Sequence, residues 1–216
     1  MRLRSLACLF TCLFLLASVA VAKSSVNKSI RVDDGETVDS GLSSVNGAIT
    51  VGSRAELQRS AETVNGGISV DDDSKTRDLS TVNGSVRVAQ RVTVDGDLSS
   101  INGTVESGEG TVVTGTVETV NGTIELLGTT VHEDLRTING RVVLDRGSRV
   151  RGDLVIEDTR SRDWNSRRKP LEIELRAGSV IEGDVDVRDK DREVIVRLSG
   201  GSAVMGQVRG AEVVNE

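Results

Sequence analysis

Aromatic side chains are nearly absent from this chain, and proline and cysteine are scarce. The 216 residues contain no Tyr, one Trp, two Phe, one Pro and two Cys. Both cysteines (Cys8, Cys12) and both phenylalanines (Phe10, Phe14) fall within the first 22 residues. Disulfides are therefore excluded from the rest of the chain, which must be held by packing and hydrogen bonding alone. The single histidine, His132, has no cysteine beside it, so a Cys–His nucleophile is ruled out. Sugar-processing sites normally offer aromatic platforms, and after residue 22 only Trp164 remains.

Long hydrophobic runs are also missing beyond the N-terminus. Arg2 and Arg4 precede an apolar stretch from Leu6 to Leu16, and small residues follow to Ala20-Val21-Ala22. This layout is expected of a cleavable export signal over residues 1–22. The apolar stretch falls short of the roughly 20 residues that a spanning helix needs, so no transmembrane segment is expected in the mature chain. Cys8 and Cys12 lie inside the stretch rather than after it, which argues against a lipid anchor. The expected location is the periplasm, the cell surface or the medium. Without Arg2 and Arg4, the 27 basic residues fall to 25 against 33 acidic ones. That balance gives no electrostatic reason to expect nucleic acid as a partner.

What is present is a repeat. Asn46, Asn65, Asn83, Asn102, Asn121 and Asn139 each follow Val or Ile, precede Gly, and recur every 18 or 19 residues. Asn27 extends the series backwards, with Lys28 in place of Gly. Three and five residues after each Asn stand apolar side chains, for example Ile49 and Val51, Val86 and Val88, and Ile124 and Leu126, with Ser107 the one polar member. An apolar i, i+2 spacing is the period of a strand with one buried face. β-Branched residues and glycine dominate, and no 3.6-residue stripe runs through a repeat, so helix is disfavoured. Each unit closes on a third element, as in Val94-Asp95-Gly96-Asp97-Leu98, whose Gly is expected to supply a positive φ.

The pattern persists beyond the last N-G. Gly147-Ser148-Arg149-Val150-Arg151-Gly152-Asp153-Leu154 matches Gly178-Ser179-Val180-Ile181-Glu182-Gly183-Asp184-Val185 and, more loosely, Gly201 to Val208. The expected fold is all-β: a single-stranded β-helix, or β-solenoid, taken as right-handed, with about nine coils of three short strands. It should occupy residues 23–210, with a loop insertion at about 158–170, a turn around 188–192 and a C-terminal tail over 211–216. A coil cannot bury its apolar row alone, so neighbouring coils must stabilise it.

The V-N-G-x-I-x-V repeat, over Val26 to Leu144, resembles a bacterial adhesin family of exported proteins with repetitive strands. The G-S-x-V-x-G-D-V units, over Arg146 to Val208, resemble the coils of bactofilins, polymer-forming proteins built on a β-helix. The first resemblance implies an adhesin-like or structural binding module of the cell envelope. The second implies a self-assembling scaffold. A polysaccharide-acting β-helix enzyme is a third reading.

No residue is singled out for catalysis, cofactor binding or metal binding. The repeat column Asn27, Asn46, Asn65, Asn83, Asn102, Asn121 and Asn139 has two readings: a hydrogen-bonded amide ladder, or turns that tolerate left-handed φ with the amide in solvent. Asp71-Asp72-Asp73 reads as a solvated corner rather than a calcium site, and His132 as a surface residue at the variable corner. The sequons at Asn83, Asn102 and Asn121 follow from turn chemistry. The Ser/Thr column Ser44, Thr63, Thr81, Ser100, Thr119 and Thr137 is similar to that of ice-binding solenoids, although a single column is not a flat array. The most unusual stretch contains Arg160, Arg162, Trp164, Arg167, Arg168 and Lys169. Trp beside Arg is a common interface anchor, so this loop is the candidate contact for another copy of the chain, an envelope polymer or an envelope protein.

Overall fold

The computed structural model describes residues 23–158 and 170–216. Every regular element among them is a strand, and all strands pair in parallel into three sheets of ten, ten and nine strands. The first sheet carries the residues before each N-G, the second those after it, and the third the two-residue strands typified by Thr93–Val94. The chain visits the three sheets in turn, giving a β-solenoid of about ten turns, one more than the repeat count suggests. At about 4.8 Å per strand the stack is about 45 Å long.

Registration is residue on residue. Leu79 pairs with Leu98 and Val86 with Val105, so equivalent side chains form columns. Inward columns such as Ile49, Ile68, Val86, Val105 and Ile124 are fully buried, while alternate positions face out, as the two-residue period requires. Both breaks in the repeat occur at the same corner. Residues 157–170 lie between strands Leu154–Ile156 and Leu171–Leu175, and residues 188–193 between strands Val185–Val187 and Val194–Leu198. That corner is the one occupied by N-G in earlier turns.

Two local expectations are corrected. The glycines of the third-to-first-sheet corner, including Gly96, Gly115 and Gly152, do not have positive φ. Left-handed backbone sits instead at the corner between the second and third sheets, at Gly35, Gly110 and Gly147 and also at Arg54, Asp73, Arg91 and Ala177. Residues 211–216 also contain a strand, Glu212–Asn215, paired in register with Val194–Leu198. The solenoid thus continues beyond residue 210.

Candidate functional site

The N-G corner resolves the asparagine question with elements of both readings. Each side-chain amide donates Nδ2 to the Oδ1 of the Asn one turn earlier: Asn46 to Asn27, Asn65 to Asn46, Asn83 to Asn65, Asn102 to Asn83, Asn121 to Asn102 and Asn139 to Asn121, at 2.9–3.1 Å. The column is a continuous ladder, yet every Asn in it is exposed. The glycine that follows allows this stacking. A Cβ on Gly66, Gly84, Gly103 or Gly122 would fall 1.9–2.3 Å from the carbonyl oxygen of the corner glycine one turn earlier, and none of these glycines has positive φ. Close backbone approach is what selects Gly here.

The Ser/Thr column secures the same corner from inside. Thr63, Thr81 and Ser100 are buried and donate to the carbonyls of Gly47, Gly66 and Gly84 at 3.0, 2.8 and 2.9 Å. Hydroxyls committed in this way offer no face to ice. The three sequon amides are likewise engaged, since Nδ2 of Asn83, Asn102 and Asn121 is the ladder donor.

Where the ladder ends, the insertions begin. Arg192, in the second insertion, donates Nη1 to Oδ1 of Asn139 at 2.9 Å and so caps the last amide. Arg188 bridges Glu157 at 2.7 Å and Asp186 at 3.2 Å. Nearby, the buried carboxylate of Glu174 is held between Arg141 and Arg176. Burial pushes the Glu174 carboxyl up, but the two guanidiniums outweigh it and hold it below the usual carboxylate range. The sequence-predicted contact residues Arg160, Arg162, Trp164, Arg167, Arg168 and Lys169 lie outside the described residues, as does the expected signal over 1–22.

Other candidates fall into structural roles. Asp72 accepts the main-chain N–H of Gln90 at 2.9 Å, and Asp73 pairs with Arg91 at 2.6 Å. Among the described residues no group of three or more His, Cys, Asp or Glu is placed to hold a metal. His132 is exposed and belongs to the third-to-first-sheet corner, at the position of Asp95 and Thr114, rather than to the variable corner where the repeat placed it. Among the described residues no helix is long and apolar enough to cross a membrane.

Sequence reasoning missed an open recess at that same corner, lined by Asp39, Gln58, Arg59, Ser60, Arg77 and Asp78. Its signal was the drop from 19 to 18 residues between Asn65 and Asn83. Burial, followed by the charge on Asp78, raises the Glu62 carboxyl beside it.

Fold and columns together define the class: a three-sided parallel β-solenoid whose corners are tied turn to turn by polar side chains. No known protein family, curated protein or solved structure matches the chain.

Proposed function

We propose that this chain is an exported, non-enzymatic β-solenoid that acts as an adhesin-like or structural binding module of a bacterial cell envelope. The observation that supports this reading most is the commitment of corner side chains to coil stacking. Amides of Asn46 to Asn139, hydroxyls of Thr63 to Ser100 and carboxylates of Asp97, Asp134 and Asp153 all bond to the adjacent turn. These side chains hold the rod together, while both long insertions enter at one corner. A rod with a variable edge suits presentation and binding, because insertions from one face of a solenoid commonly carry contacts.

The test has three parts. Cell fractionation should place the chain outside the cytoplasm. The purified chain should co-sediment with isolated envelope polymer without shortening it, and removal of residues 160–169 should weaken that association. Depolymerisation of a polysaccharide would favour the enzyme reading. Growth of particle mass with concentration, seen by light scattering, would favour the polymer-forming scaffold.

A further inference from the structure

The third-to-first-sheet corner normally spans three residues between the inward side chains that bound it. Asp39-Ser40-Gly41, Gln58-Arg59-Ser60, Asp95-Gly96-Asp97 and Thr114-Gly115-Thr116 all fit this rule. Between Thr76 and Leu79 there are only two, Arg77 and Asp78. The recess lies at this shortened corner and has a volume of about 470 Å³, within the range of small-ligand sites.

Its charged groups are not equivalent. Asp78 is tied into the stack, Oδ1 accepting the N–H of Asp97 at 3.1 Å and Oδ2 the hydroxyl of Ser60 at 2.9 Å. Arg59 is fixed through Nε to the main-chain carbonyl of Asp39 at 3.0 Å, and among the described residues neither Nη has an acceptor. Arg77 is exposed and has no hydrogen bond or ion pair among the described residues. This contrasts with the corner residue Arg91 and the strand residue Arg209, which are paired with Asp73 and Asp184. Two guanidiniums that line one recess from successive turns can each offer planar donors to the two oxygens of one carboxylate. Asp39, Asp78 and the nearby Glu62 disfavour a doubly charged anion in the same space. Gln58 and the Asp39 carboxylate remain available for hydroxyl groups.

We infer that the recess binds an acidic sugar unit of a polysaccharide, with Arg59 and Arg77 holding its carboxylate and Gln58 and Asp39 its ring hydroxyls. The inference rests on the binding-module reading and names its ligand class. A monovalent carboxylate next to hydroxyls matches the mixed lining, and polar contacts take the place of aromatic stacking in a recess lined by no aromatic side chain. The acidic remainder of the rod is largely screened beyond about 8 Å at physiological salt.

Calorimetric titration of the full chain with oligomers of galacturonate and of glucuronate, with a neutral galactan oligomer and inorganic phosphate as comparators, tests it. The expected result is salt-weakened binding of at least one uronic-acid oligomer and none of the neutral one. Affinity should fall at least tenfold in the Arg59→Gln, Arg77→Gln double variant, with an unchanged melting temperature. Insertion of Gly between Arg77 and Asp78, which restores the three-residue corner, should have the same effect. Failure of both uronic oligomers to bind, equal binding of the neutral oligomer, phosphate binding as tightly, or full binding by the double variant would each overturn the inference. Envelope co-sedimentation that survives in the double variant would remove the recess but keep the module; its absence in the parent chain would remove the module itself.

Discussion

At the scale of single residues, glycine serves two separate purposes, and one substitution distinguishes them. Gly103→Ala would put a methyl 1.9 Å from the Gly84 carbonyl oxygen, so turns must separate; the expected loss is about 2–3 kcal/mol. Gly147→Ala meets no atom within 4 Å but keeps φ at 74°, and should lose only about 1 kcal/mol. Urea denaturation midpoints of the two variants, read against the parent, check the order; a reversed order would mean that backbone strain outweighs stacking. Thr76 offers the opposite case. Its side chain is fully buried in a column otherwise filled by Val38, Leu57, Val94 and Val113, and Oγ1 has no partner. Thr76→Val keeps the shape and removes the stranded hydroxyl, so stability should rise by about 1 kcal/mol, seen as a melting temperature higher by a few degrees. The repeat made both glycine columns visible. The cause of the N-G column stayed hidden because the contact that excludes a side chain is made with the adjacent turn, and the positive φ expected at Gly96 lies instead at the corner of Gly147.

Among elements, the asparagine ladder is the one whose removal can be graded. Asn102→Ala deletes one donor and one acceptor in the middle of the column. Each exposed bond contributes about 0.5–1.5 kcal/mol, so a total loss of about 1–2 kcal/mol is expected by thermal denaturation. No loss would mean that solvent replaces the ladder without penalty. The Glu174 clamp predicts a pH dependence. Its carboxyl titrates lower in the folded chain than the usual value of about 4.3. Its stabilising contribution is therefore fully present above that value and disappears as the pH falls through the folded one. Melting temperature should drop as the pH falls below the ordinary carboxylate value, and Glu174→Gln should flatten the drop; an equally steep profile in the variant would assign the acid sensitivity to other carboxylates. Strand positions and their inward faces were legible wherever a two-residue period repeats at a fixed interval, but not at Glu212–Asn215, where the exposed pattern read as a tail. The Arg141–Glu174–Arg176 cluster was not, since 33 residues separate Arg141 from Glu174 and the interruption removes any fixed spacing. The same limit applied to the recess, where a missing residue leaves no side chain to notice.

For the whole molecule, a stack in which each turn contacts mainly its neighbours behaves as a one-dimensional array. Deleting residues 84–102 joins Asn83 directly to Gly103, which preserves an N-G corner and removes one complete turn. The shortened chain should still give a strand-type circular dichroism spectrum and a cooperative transition at a lower temperature. Deleting only residues 84–92 should abolish that transition, because the columns fall out of register. Retention of a sharp transition by both deletions would refute the dependence on register. The cap on the ladder gains a further meaning at this scale. In the sheets, main-chain bonds run both ways along the stack, as in Ile30 N–H to the Ala48 carbonyl and Asn46 N–H to the Val26 carbonyl, so their dipoles largely cancel. The side-chain amides all point the same way, each Nδ2 toward the earlier turn, and their dipoles add. The column therefore carries partial positive charge near Asn27 and partial negative charge at Asn139, as a helix does along its axis. The guanidinium of Arg192 sits on that negative pole as a counter-charge, making the solenoid electrically polar along its length and neutralised at one end of the amide row.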